Sequence, residues 1–252
     1  MKDTYQILAI NGSHRSENGF TELVLRRFLK GAESAYAQCE VLYPSKSKIV
    51  ACESCGKCLF ETPGVCKYDD DMESIIQKMD RADLLVFASP VYFDSMSSNM
   101  KKMIERLRST LGACFELRNG RTYHLRIKEK TQSVVTIFTA GNPERESFIS
   151  ISRIFGRIMD NMGWQLEGAF HFPASHLLVT EPELLSDQLE TVAMCGQEIV
   201  TKGKISPDLL EAANREYIVD PAMTLHHMTQ MILKMRIENH ADSAGERNRA
   251  AD

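Results

Sequence analysis

Short, wholly apolar runs alternate along this chain with stretches whose apolar positions recur every three or four residues. That alternation predicts a parallel sheet with crossover helices. Residues 5–10 (YQILAI) form the first strand, and residues 21–34 follow with Leu, Val and Phe at helical spacing, Lys and Arg between them. A weaker second strand is predicted over 40–43, a third over 84–88 (LLVFA) and a fourth over 133–139 (SVVTIFT). Residues 165–170 supply a fifth, with 176–179 as its margin. Helices are expected over 97–108, 147–162 and 183–201, and over 69–79, where three aspartates open the helix at the positive end of its dipole.

Beyond Pro207, residues up to about 238 read as two further helices rich in methionine (Met223, Met228, Met231, Met235). Methionines at helical spacing are a packing surface, which points to a docking or oligomer element. The final polar, alanine-rich residues are expected to fray. The expected organisation is therefore one α/β domain over 1–204, with a cysteine-rich loop at 50–68, and a helical extension over 205–252.

Composition narrows the function classes. The 252 residues are 43% hydrophobic and 25% charged, with a net charge of -4. A pI near 6.0 gives no footprint for nucleic acid. No apolar run approaches the roughly 18 residues of a membrane span, and the first apolar run is too short for a secretory leader. The expectation is a soluble cytoplasmic protein with neither nucleic-acid nor membrane partners.

The segment from Asn11 to Thr21 (NGSHRSENGFT) lies between the first strand and the first helix. A helix N-terminus there offers unpaired N–H groups to an anion. Ser13, Ser16, Asn18 and Thr21 add side-chain donors and Arg15 a charge. The segment is neither a Walker loop nor a GxGxxG turn, and its donors suit a terminal phosphate monoester. A plain helix cap would use the same residue types. After the third strand come Ser89, Pro90, Val91, Tyr92 and Phe93, at the sheet edge where open α/β folds bind ligands. After the fourth come Ala140, Gly141 and Asn142, where Gly141 allows close backbone approach. Together the three loops describe a pocket for a flat ring with a phosphate tail.

Seven cysteines are present, four of them spaced Cys52-x2-Cys55-x2-Cys58-x7-Cys66. Two consecutive x2 spacings turn three thiolates toward one point and a loop returns the fourth, which is how a cubane iron–sulfur cluster is gripped. Cys55 and Cys58 could instead form a CxxC redox pair, the four could be plain thiols without a cluster, or they could hold zinc. Cys39, Cys114 and Cys195 read as plain buried thiols.

Over its first ~200 residues the chain resembles the NAD(P)H-dependent FMN reductase and iron–sulfur flavoprotein group of flavodoxin-like proteins. The residues that carry the resemblance are NGSHRSENGFT, ASPVYFDSMSSNMKKMIER and FTAG. It implies a flavodoxin-like doubly wound sheet of five parallel strands in the order 2-1-3-4-5. It also implies that Ser13, Arg15, Ser16, Asn18 and Thr21 hold the FMN phosphate. Ser89 to Phe93 would pack on the isoalloxazine, and Ala140, Gly141 and Asn142 would form the third contact. The compact cysteine motif resembles that of iron–sulfur flavoproteins, with Cys52, Cys55, Cys58 and Cys66 as ligands of a 4Fe-4S cluster. Four features depart from the pattern: the phosphate loop is one residue longer than the usual form, Asp94 stands where glycine is common, residues 111–130 are long and polar, and the Met-rich end has no counterpart.

The implied activity is an FMN oxidoreductase with NAD(P)H as transient electron donor and a small molecule or redox protein as the other partner. No side-chain acid or base is expected to be essential. The alternatives are a flavodoxin-type electron carrier and a redox sensor without its own substrate. A homo-oligomer is expected.

Overall fold

In the computed structural model, which describes residues 4–128 and 130–249, the chain runs in the following order. The elements are β1 (Gln6–Asn11), α1 (Phe20–Ser34), β2 (Gln38–Leu42), α2 (Lys57–Phe60), α3 (Met72–Arg81), β3 (Leu84–Tyr92), β4 (Ser95–Met96) and α4 (Ser98–Arg106). They continue as β5 (Leu111–Arg118), β6 (Arg121–Arg126), β7 (Ser133–Thr139), α5 (Ile149–Met162), β8 (Gln165–Phe172), α6 (Leu177–Thr180), α7 (Ser186–Lys202), α8 (Pro207–Ala213) and α9 (Pro221–Arg249).

Five strands pair in parallel in the order β2-β1-β3-β7-β8, the doubly wound flavodoxin-like order. β1, β3 and β7 are mostly apolar along their middles because both faces of the sheet are covered. Ile7, Ala9, Leu84 and Val86 pack with α1 and α7. Leu8, Ile10, Leu85 and Phe87 pack on the opposite face with α3, α4 and α5. α1 and α7 approach through glycine. A Cβ on Gly31 would stand 1.7 Å from the Ala193 carbonyl oxygen, and one on Gly196 2.0 Å from that of Phe28. This close contact seats α1, and with it the loop at its N-terminus.

Several expectations shift. β2 starts at Gln38, and β3 runs on past Ala88 to Tyr92, so Ser89 and Pro90 are strand residues. Residues 176–179 turn into helix α6 instead of extending β8, because the chain tucks Leu177 and Leu178 into the core. The long polar segment folds as a hairpin of β5 and β6 about Asn119 and Gly120, both with positive φ (51° and 74°), the backbone that a two-residue hairpin requires. Cys114 is exposed on β5, and Cys39 is only partly buried.

The helical extension is present, yet its first part belongs to the core: Ile205, Ala213, Tyr217 and Ile218 join the cluster under α1 and α7. α9 continues to Arg249 where fraying was expected, and residues 250–252 lie outside the described residues. No helix among the described residues is long and apolar enough to cross a membrane. The loops after β1, β3 and β7 all emerge at one edge, where the strands end.

Candidate functional site

Asn11, wholly buried at the end of β1, organises the first loop. Its Oδ1 accepts the Ser13 N–H at 2.9 Å and its Nδ2 donates to Glu22 at 2.7 Å. The Glu22 carboxylate, 4% exposed, also accepts from Arg26 (2.6 Å) and the Tyr43 hydroxyl (2.8 Å). A buried charge paired in this way holds its surroundings in one arrangement.

Around that anchor, Ser13 is buried and its hydroxyl accepts the Arg15 N–H at 3.2 Å. Ser16 sits in the left-handed region (φ 50°), its hydroxyl 2.7 Å from that of Ser45. Arg15 and Asn18 are exposed, and the Arg15 guanidinium lies 5.4 Å from the Phe20 ring centre. α1 begins after Gly19 with no side-chain cap, which leaves its N-terminal N–H groups to an outside acceptor. A Cβ at Gly19 would stand 2.5 Å from Ser13 Oγ, so a side chain there would push the Ser13 hydroxyl out of its place.

In the second loop, Ser89 is wholly buried. Its hydroxyl donates to the Pro90 carbonyl (2.9 Å) and accepts the Ser97 N–H (3.2 Å). Ser97 in turn donates to the Gly12 carbonyl at 2.5 Å and caps α4 by accepting the Met100 N–H. Ser89 and Pro90 therefore position the loop, and Val91, half-buried, leads to its tip. Tyr92 and Phe93 project from that tip, Phe93 wholly exposed. Phe93 and Asp94 both have positive φ (48° and 58°) and close a tight turn between β3 and β4. The Tyr92 ring stacks on His14 of the first loop at 5.6 Å and 16°, and Asn99 holds the His14 ring at 2.9 Å.

The third loop is pinned to β8. The Ala140 N–H donates to the Phe172 carbonyl at 3.0 Å, and the Asn142 carbonyl accepts the Ala174 N–H at 2.8 Å. Nothing lies within 4 Å of where a Cβ on Gly141 would stand. A hydrogen bond of 2.7 Å between Thr21 and Thr139 ties this loop to the first. Thus all three loops meet. The residues present fit FMN: an uncapped helix end with serine, arginine and asparagine around it, exposed aromatics beside it, and open space against the Gly141 backbone.

The cysteine loop is clamped at its two ends. Arg106, 3% exposed, donates to the Val50 carbonyl (2.6 Å) and to both oxygens of Asp70 (2.6 and 3.0 Å), while Asp70 accepts the Val50 N–H at 2.9 Å. Between these ends Ser54 and Gly56 take left-handed backbone (φ 56° and 75°) and curl CESCGKC. Cys52 and Cys55 are exposed, whereas Cys58 and Cys66 are half-buried, and all seven cysteines are free thiols. Burial, and then the neighbouring Cys66, push the Cys58 thiol up, while Arg108 pulls it back down. Burial works against the Arg106 charge, but hydrogen bonding to Asp70 and the nearness of Cys66 hold it above its ordinary value.

The Arg106 Nε and Arg108 Nη1 groups are buried with no hydrogen-bond partner. Four thiols with two unspent guanidinium donors behind them fit the chemistry of a cluster, whose sulfurs accept hydrogen bonds. The convergence expected of the two x2 spacings is not found, however: with Ser54 and Gly56 curling the loop and Cys52 and Cys55 turned to solvent, no group of three or more metal-binding side chains among the described residues is placed to hold a metal ion. Elsewhere burial pushes Cys39 and Cys195 up to about 12, which makes them inert.

Sequence reasoning passed over Asn11, His14, Glu22, Ser97 and Thr139. Ser97 stood at a legible cap position, and Asn11 and Glu22 each make one local contact, with Ser13 and with Arg26 at i,i+4, whereas the roles of His14 and Thr139 come from contacts that only the tertiary fold creates.

Residues 5–125 match the NADPH-dependent FMN reductase family. An iron–sulfur flavoprotein of Methanocaldococcus jannaschii is 33% identical over 114 residues, covering 45% of this chain and 57% of the relative. One from Archaeoglobus fulgidus is 30% identical over 114 residues, covering 45% and 54%. The chain thus spans about half the length of the curated relatives it matches. Among solved structures, an FMN-dependent NADH-azoreductase from Bacillus anthracis in complex with FMN superposes with a TM-score of 0.58 at 14% identity, covering 78% of this chain and all of that one. That likeness is one of fold.

Proposed function

We propose that the chain, whose residues 5–125 match the NADPH-dependent FMN reductase family, is an FMN-dependent NAD(P)H oxidoreductase whose clustered cysteines carry a 4Fe-4S cluster. The observation that carries the flavin half is the meeting of three loops at one sheet edge, joined by the Thr21–Thr139 and His14–Tyr92 contacts. When bound, FMN accepts hydride and releases electrons singly or in pairs.

The chain's own residues bind and orient. Ser13, Arg15, Ser16, Asn18, Thr21 and the N-terminal N–H groups of α1 take the phosphate. Ser89 and Pro90 fix the strand end from which Val91, Tyr92 and Phe93 border the ring. Ala140 pins the third loop to β8 through its own N–H, and the backbone N–H groups of Gly141 and Asn142 would meet the ring's polar edge, where such donors favour negative charge. The full exposure of Phe93 leaves room for the nicotinamide donor.

The cluster half rests on Cys52, Cys55, Cys58 and Cys66, with the names of the two archaeal relatives and the unspent Arg106 and Arg108 donors in support. We place the protein in the cytoplasm, in keeping with its free thiols. We read it as a homo-oligomer, in keeping with Met223, Leu225, Ile232 and Leu233, which lie exposed on α9. Its acceptor is a small molecule or a redox protein.

The test is steady-state NAD(P)H oxidation by FMN-loaded protein with an added quinone or dye, beside iron and acid-labile sulfide analysis of protein purified without oxygen. Turnover with about four irons and four sulfides per chain supports both halves. Turnover without iron removes the cluster, and flavin binding without turnover leaves an electron carrier.

A further inference from the structure

At the end of the sheet opposite the flavin loops, a cavity of about 130 Å³ opens between α3, β3, α5 and the base of the β5–β6 hairpin. It lies beside Leu85, the second residue of β3, whereas the flavin loop follows Tyr92, about 20 Å along the strand. Its walls are Ile76, Met79, Leu85, Leu107, Met162 and Trp164. Trp164 is fixed by stacking on Phe87 at 5.6 Å. An apolar cavity of roughly 150 Å³ accommodates a benzene ring, so this volume suits one six-membered ring.

The rim is cationic. Arg126, Lys128 and Lys130 stand there with one carboxylate, Asp80, and Asp80 is paired with Lys128. Arg126 uses its Nη1 on the carbonyls of Lys130 (3.0 Å) and Met162 (3.1 Å). Its guanidinium packs against Gly163, where a Cβ would come within 2.5 Å of Cζ. Two carbonyls fix the orientation of this group, and no carboxylate among the described residues meets its charge. The other polar groups are committed: Ser109 and Thr110 donate to the carbonyls of Arg106 and Leu107, and Gln132 to that of Ala82.

We propose that this cavity binds a small single-ring aromatic carboxylate, its ring between Trp164, Met79 and Leu107 and its carboxylate on Arg126. The planar fork of an arginine matches a carboxylate better than it matches any neutral group. Methionine sulfurs and the indole favour an aromatic over a saturated ring. Gly64 also borders the opening and lies against Ile127, so the bound acid would touch the segment between Cys58 and Cys66.

Trp164 is the single tryptophan of the chain and reports on the site directly. Benzoate is titrated into the FMN-loaded protein while tryptophan emission and the visible flavin absorption are followed together. The expected result is a saturable change in emission with the flavin band unmoved. Binding should weaken about tenfold for benzamide, which lacks the charge, and for Arg126→Gln. Leu107→Phe, which fills the cavity, should abolish the response. Circular dichroism checks each variant's fold, and should Arg126→Gln fail to fold, benzamide and Leu107→Phe decide. The proposal is overturned by the absence of a saturable change, by equal midpoints for benzoate and benzamide, or by a response that Leu107→Phe leaves intact. A flavin band that shifts with the same midpoint would place the acid at the flavin loops, and also overturns it.

Discussion

The hydroxyl groups of Thr21 and Thr139, 118 residues apart, hydrogen-bond at 2.7 Å in the core of the molecule. Thr21 stands in the first turn of α1 and Thr139 is the last residue of β7, so one bond joins the phosphate loop to the loop at the ring's edge. Thr139→Val leaves the Thr21 hydroxyl buried without its partner, at a cost of about 1–3 kcal/mol. Urea unfolding of the apoprotein should show that loss, and FMN should bind more weakly. The double variant Thr21→Val with Thr139→Val should recover most of the stability, because neither hydroxyl is then stranded. If the double variant is no more stable than the single one, the bond is not what joins the loops.

Phe93 and Asp94 hold left-handed backbone side by side in the turn that presents the aromatic tip. For L-residues that conformation costs about 1–2 kcal/mol each, with Asp better tolerated than Phe. Asp94→Gly should therefore raise the stability by about 1 kcal/mol. The measurement is the denaturation midpoint, with the flavin spectrum monitoring whether the relaxed turn still presents Tyr92 and Phe93.

His171 on β8 lies against Phe148 (4.8 Å between ring centres) with Ser152 at its Nε2. Burial, aided by Arg145, lowers its pKa to about 4. The folded chain keeps this imidazole neutral while the unfolded chain protonates it near its ordinary value. Stability is therefore intact above about pH 6.5 and falls as pH drops toward 4, by on the order of 3 kcal/mol over that window. His171→Gln should flatten that part of the stability–pH curve. An unchanged slope in the variant would assign the loss to other groups.

The Asp70–Arg106 pair is buried on both sides, with side-chain exposures of 0% and 2%. Removing one partner strands the other charge, so Asp70→Ala should cost about 3–5 kcal/mol. Because the pair also clamps Val50, limited proteolysis should cut within residues 51–69 faster in the variant. Resistance equal to that of the native protein would show the cysteine loop to be held by other means.

The parts of this fold that were legible in the sequence are those whose burial is complete. LLVFA and SVVTIFT read as central strands because both sheet faces are covered, and the donor-rich segment was placed correctly between β1 and α1. The β5–β6 hairpin escaped although Asn119-Gly120 is a strong turn signal, since Arg, Thr and His break the apolar alternation on either side. Ile205 and Tyr217 looked like part of an appendage because their burial depends on α7 and β8, far off in sequence. His14 carried no local signal, since Tyr92 and Asn99 reach it only through the fold; Glu22 showed only its i,i+4 partner Arg26, while Asn11 and Tyr43, which complete its burial, are brought by the fold.

The most direct measurement is FMN binding itself, followed by quenching of flavin fluorescence in native protein and in Gly19→Val. A side chain at position 19 would collide with Ser13 Oγ and spread the phosphate loop. The account expects one FMN per native chain, and binding weakened by about a hundredfold or more in the variant, roughly the loss of two charge-assisted hydrogen bonds. FMN that fails to bind the native chain, or that binds Gly19→Val equally well, would contradict it.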